Sequence, residues 1–181
     1  MRETDSRRIP PFFNPRSVGE ALKEVDVRFL PNEKINLTSR WFHGPQDADI
    51  FIWTDEKDRV VKQQIGFCGQ VVEWNVVEGL RTGLIVEKEA GSHNLPASEI
   101  IQYDNSAQKP AIQMAIELVL HVTALEGSLR QEVLGHLERP ESLASTDPEE
   151  FVRRYGAQKQ SQSSQKSWRS RLLKAFQKIF K

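Results

Sequence analysis

The chain has 181 residues, 38% of them hydrophobic, with 25 Lys and Arg balanced by 25 Asp and Glu. That length suits one domain with room for a tail, not two full domains. No run approaches roughly 18 apolar residues, MRETDSRRIPPFF lacks the apolar stretch of a secretory signal, and the single Cys68 excludes a disulfide framework or a Cys-rich zinc site, so a reducing cytoplasm is the expected location.

Residues 1–16 hold three prolines and four arginines without a period and read as an irregular arm, with Phe12 and Phe13 its docking points. Ser17 is placed to cap a short helix over Val18–Glu24. Val25, Val27 and Phe29 then alternate with Asp26 and Arg28, a strand pattern. Ile35, Leu37 and Trp41 share one parity. Asp49–Thr54 is apolar on both faces, which predicts a strand covered on both sides. Asp55-Glu56-Lys57-Asp58 is a polar turn, so Arg59–Phe67 should return as a hairpin. Gly66 and Gly69 bracket Phe67 and Cys68, which predicts a bulge or sharp bend. Val72, Trp74 and Val76 share a face. Gly79 turns the chain, Thr82, Leu84 and Val86 continue the meander, Ala90–Asn94 reads as a loop, and Glu99–Tyr103 as a last short strand.

The period then changes. Lys109-Pro110 opens a helix, with Pro110 where a missing N–H costs nothing. Only Gln113, Glu117 and His121 break its apolar surface, so this helix should be buried on most of its circumference and should run to Gly127. Ser128-x-x-Gln131 has the form of a capping box for a next helix with the stripe Leu129, Val133, Leu134 and Leu137, ended by Pro140. Asp147-Pro148-Glu149-Glu150 opens a third helix that Gly156 ends. The expected fold is therefore α+β: a mostly antiparallel meander of five to seven strands, followed by helices packed on it, in one domain over residues 17–156.

Residues 157–167, AQKQSQSSQKS, are too polar to bury surface and read as a flexible linker. Beyond it lies a basic amphipathic helix over 168–181. Trp168, Leu172, Phe176, Ile179 and Phe180 fall on one face, and Arg169, Arg171, Lys174, Lys178 and Lys181 occupy the rest. That composition suits a helix lying in a membrane interface, or an apolar groove of a partner. Residues 166–181 carry six bases and no acid, leaving 19 bases and 25 acids in residues 1–165. An acidic body with a basic tail is drawn to anionic surfaces through the tail alone. The acidic body disfavours nucleic acid.

His43, His93, His121 and His136 show no ligand spacing, so neither metal nor cofactor is expected, and no catalytic motif is present. Asp104-Asn105-Ser106 is not continued by the glycine that a cyclic-dinucleotide motif needs, because Lys109 stands there. Trp41, Trp53 and Trp74, with Arg40 and Arg81, are the candidates for a pocket that would take an anionic ligand. The expected function is a non-catalytic adaptor module. Its body contacts a protein partner, and its tail engages an anionic membrane or that partner's groove. A small-ligand receptor using the aromatic pocket, and an enzyme built on His43, His93 or Asp104, are the alternatives. Oligomeric state is left open by the sequence.

Overall fold

The computed structural model describes residues 12–25, 37–87, 99–139 and 150. The linker and tail helix over 157–181, the loop around 90–94 and all of the third helix except Glu150 lie outside the described residues, as do Val27 and Phe29.

Helix α1 spans Pro15–Ala21, earlier than the sequence predicts. Asn14, not Ser17, is the cap: its side chain accepts the Ser17 N–H at 3.2 Å, and Pro15 supplies a φ already suited to a first turn. Leu22 then turns extended and is buried, so Lys23 and Glu24 belong to a strand rather than to the helix. Of the two arm phenylalanines, Phe13 docks, stacked on Phe67 with ring centres 5.5 Å apart, while Phe12 stays exposed.

Seven strands follow in an antiparallel sheet whose spatial order is the chain order. They are β1 (Lys23–Val25), β2 (Thr38–His43), β3 (Asp49–Thr54), β4 (Val60–Phe67), β5 (Gln70–Asn75), β6 (Gly79–Glu87) and β7 (Glu99–Tyr103). The β3–β4 turn is built on Asp55, whose carboxylate accepts the Lys57 and Arg59 N–H groups and the Arg59 guanidinium. A bulge lies at Trp53/Thr54. The expected bend after Gly66 is a two-residue turn with Cys68 at φ 48° and Gly69 at φ 73°, the doubly left-handed geometry that tight hairpins use. Cys68 is accordingly half-buried at a hairpin tip rather than in a strand, and burial pushes its thiol pKa up.

Alternation along the strands divides the sheet into two faces. Phe42, Ile50, Ile52, Ile65, Phe67, Val72 and Trp74 form one, all within the main core. Helices α2 (Lys109–Leu120) and α3 (Gly127–Glu138) cover it, α2 over β5 and α3 over β4, and α1 packs on α2. Helix α2 buries Ala111, Ala115, Leu118 and Val119. Its circumference is less buried than the sequence predicts: Ile112, Met114 and Ile116 are half-buried and Leu120 is exposed.

Two further boundaries differ from expectation. Helix α2 stops at Leu120, not Gly127, because the chain tightens into successive turns that drive Val122 and Leu125 into the core. Gly127 instead opens α3. Ser128 and Gln131 form no capping box, since Glu126 is the cap residue and makes no side-chain cap bond. Glu126 turns its carboxylate to Arg40 on β2, 2.5 Å away.

The α1–α2 contact is close because Gly19 has no side chain. A Cβ there would lie 2.4 Å from the Leu118 carbonyl oxygen and 3.1 Å from His121 Cβ. The obstacle is helix backbone and does not yield as a flexible side chain would. Gly19→Ala is therefore expected to destabilise by about 2 kcal/mol, despite the ~1 kcal/mol that alanine usually gains over glycine in a helix. Urea melts read this directly; a loss under ~0.5 kcal/mol, well below the usual overpacking cost, would mean that the two helices slide apart freely.

Candidate functional site

The other sheet face has no described helix on it and carries a continuous band of side chains across six strands. Its first half is aromatic. Trp41 stacks on Phe51 with ring centres 5.7 Å apart, and Phe51 on Trp53 at 6.0 Å. Register makes this inevitable: Trp41 pairs with Phe51, so both point the same way. Asp49 accepts the Trp41 indole N–H at 2.8 Å and lies 2.8 Å from His43 Nδ1. The predicted covering of β3 on both sides is met on this face by its own aromatic neighbours.

The second half is ionic and centres on Glu73, which is only 1% exposed. Its Oε1 accepts from Arg81 Nη2 at 2.8 Å and from Asn75 Nδ2 at 3.2 Å. Its Oε2 accepts from the Tyr103 hydroxyl at 2.8 Å and lies 3.2 Å from Lys62 Nζ. Four donors on four strands thus close around one carboxylate. Burial would raise the Glu73 pKa, but the ammonium of Lys62, the guanidinium of Arg81 and the Tyr103 hydroxyl outweigh it and hold the carboxyl below its ordinary range. The same contacts act back on the partners. Burial and the Glu73 charge raise the Tyr103 pKa; for Arg81 burial alone would lower the pKa, but the hydrogen bond to Glu73 and the charges of Glu73, Tyr103 and Glu78 together outweigh it and raise it. Arg81 also lies over the Tyr103 ring, 3.9 Å from its centre. Lys62 links the two halves: its ammonium sits 5.3 Å from the centre of the Trp53 ring.

Of the five residues predicted for one pocket, the structure therefore brings Trp41, Trp53 and Arg81 onto this band. Arg40 and Trp74 lie on the opposite, helix-covered face. Arg40 ties strand β1 to helix α3 by bonding Glu24 at 2.6 Å and Glu126 at 2.5 Å. Trp74 stacks flat on His136, ring centres 3.5 Å apart. The five do not surround one cavity. His136 also hydrogen-bonds Gln63, whose amide N–H reaches the Val133 carbonyl. Burial pushes the His136 pKa down to about 4, so the ring is neutral at pH 7. His121 is the helical pair that its spacing predicts, with Nδ1 2.8 Å from the Glu117 carbonyl oxygen and 3.7 Å from its carboxylate.

The sequence reading missed Glu73, Lys62 and Tyr103. A signal for the first was present: Glu73 is the lone acid among Val71, Val72 and Trp74, and Glu73 and Arg81 are equidistant from Val77, at the tip of their hairpin.

Chemically, the ionic half of the band is closed around Glu73. Both Glu73 oxygens are saturated with donors, which removes the lone pairs that a general base would use. Among the described residues, no three His, Cys, Asp or Glu side chains are grouped to hold a metal ion. No helix among them is long and apolar enough to cross a membrane. No family model, no curated protein and no solved structure matches this chain.

Proposed function

We propose that this protein is a non-catalytic adaptor whose basic C-terminal segment, residues 168–181, attaches it to an anionic membrane surface while the α+β body contacts a protein partner. The observation that carries the reading is the sequence pattern of that segment. Trp168, Leu172, Phe176, Ile179 and Phe180 recur on one face, with Arg169, Arg171, Lys174, Lys178 and Lys181 around them. Each cation near an anionic leaflet contributes roughly 1 kcal/mol, so five or six of them with inserted aromatics suffice for reversible attachment. The polar linker before it lets the segment reach a surface that the acidic body avoids. The body supports the reading through its side-chain chemistry. Glu73, Lys62, Arg81 and His136 are committed to holding strands and helices together. A cytoplasmic protein held peripherally at the inner membrane face is the corresponding location.

Co-sedimentation with liposomes tests it, comparing the full chain with one ending at Gln165. The expected result is binding to anionic but not neutral vesicles, weakened by salt and lost on truncation. Equal binding by both chains overturns attachment through this segment and moves it to the body; no binding by either overturns membrane attachment and turns the segment into a docking helix for a partner's groove.

A further inference from the structure

The row Gly66, Val71 and Gly83 crosses the middle of the sheet face that bears the aromatic and ionic band. Val71 is fully buried there, although both its cross-strand neighbours are glycines and no described helix lies on that face. Glycines offer no side chain to shield it. On the aromatic half, stacking covers the flanks of Trp41 and Phe51, yet each ring is more than nine-tenths buried. Trp41, Phe51 and Asp49 also each make a further contact besides those within the band. Ile85 on β6 and Tyr103 on β7 are only half-buried. The covered area therefore runs from β2 to β5, three strand spacings or about 14 Å.

Chain length and composition narrow what that cover is. Residues 26–36 leave β1 and rejoin β2, so reaching Val71 on β5 and returning spans about 34 Å along the sheet, against about 41 Å of fully extended chain. That leaves no slack to pack above the face. Residues 88–98 leave β6 and rejoin β7, and reaching Trp41 on β2 and returning spans about 43 Å, more than they can. Residues 1–11, 88–98 and 140–149 contain no Phe, Trp or Tyr to meet the rings. The chain after Glu150 contains five. Glu150 itself is helical, half-buried and in contact with another group, so the segment it belongs to lies against the body.

We infer that the helix expected over 147–156 lies across this face, with Phe151, Val152 and Tyr155 on Trp41, Phe51 and Val71, and Arg153 and Arg154 toward Asp49. The three apolar residues fall at i, i+1 and i+4, one side of a helix. Ten residues make a helix of about 15 Å, the width of the covered area. A helix over 168–181 would be about 21 Å long and would run on over β6, where Ile85 stays half-buried. From Arg139 the chain can extend about 36 Å before Glu150, ample to pass from one sheet face to the other across layers about 10 Å apart. The aromatic half of the band is then a second core, and a protein partner must use another surface. The inference is separate from the tail, and its failure would leave membrane attachment untouched.

The test uses the full chain with Cys68→Ser and Val71→Cys. The thiol at position 71 should react slowly with a maleimide. Phe151→Ala with Tyr155→Ala should speed that reaction by roughly tenfold or more, because labelling a buried thiol needs its cover to open. Ending the chain at Gln165 should leave the rate unchanged. Since the double alanine variant could fail to fold, cross-linking gives a second reading. Val71→Cys is combined with Val152→Cys or, separately, with Phe176→Cys, and treated with a bis-maleimide reaching about 10 Å, the spacing of packed layers. The first pair should be joined and the second should not. Rapid labelling at position 71 in the full chain, labelling freed by loss of residues 166–181, slow labelling in a folded double alanine variant, or joining of the second pair instead of the first overturns the inference.

Discussion

Replacing Glu73 by glutamine should destabilise the protein by about 3 kcal/mol at pH 7. Removing one member of a buried ion cluster strands the rest, at about 3–5 kcal/mol. The low end applies here because the partners are not fully buried: the Lys62 and Arg81 side chains keep 34% and 27% of their surface. Glutamine preserves the volume and one acceptor oxygen, so the loss reports charge rather than a cavity. Arg81 suffers most, since its Nε is already buried without a partner. Adding Arg81→Met to Glu73→Gln should recover part of the loss, and the cycle of single and double variants measures the coupling. Chemical denaturation of the four proteins gives the numbers. A loss under ~1 kcal/mol for Glu73→Gln, the scale of an exposed ion pair, would show that the four donors do not depend on the carboxylate. The sign with pH follows. A carboxyl whose folded pKa is depressed stabilises above its unfolded value of 4.5, and that stabilisation is lost as pH falls below it.

Acid should act earlier through His136. Burial lowers its pKa from 6.5 to about 4. The unfolded chain then takes up a proton before the folded one does. Stability is fully present above pH 6.5 and declines as pH falls from 6.5 to about 4, by about 3 kcal/mol in all. Protonation would also put a cation against the Trp74 ring inside the core, with Gln63 as its only polar contact among the described side chains. His136→Phe keeps the stack and removes the titration. Its stability should be flatter than wild type between pH 6.5 and 4, and the two curves should differ in slope only in that window. Parallel curves would show that His136 is solvated in the folded state.

Period and punctuation made the sheet legible. Asp49–Thr54, the Asp55–Asp58 turn and Glu99–Tyr103 fall where alternation and turn residues put them. Helix ends were harder, because tertiary packing decides them. Gly127 looks like a stop, but burying Val122 and Leu125 needs the chain to leave α2 six residues earlier. Ser128 and Gln131 have the capping spacing, yet the helix starts before them. The candidate site was half legible. The aromatics were visible, but grouping Trp53 with Trp74 ignored a register that puts Trp53 beside Lys62 and Trp74 beside Gln63, on opposite faces. The Glu73 cluster draws on four strands, and only pairing reveals which residues share a row.

The uncrossed strand order has a consequence for how the chain reaches this state. Every described strand pairs only with its neighbours in sequence, so among the described residues no pairing waits on a distant segment, and loop-closure entropy stays small at each step. During synthesis β1 through β7 can zip up in the order in which they leave the ribosome. The two helices that cover Phe42, Ile50, Ile65 and Trp74 are made afterwards. For the time needed to translate residues 104–139, a nearly complete sheet stands with its apolar face uncovered. That interval, rather than strand pairing, is where this chain is most open to aggregation and to capture by chaperones.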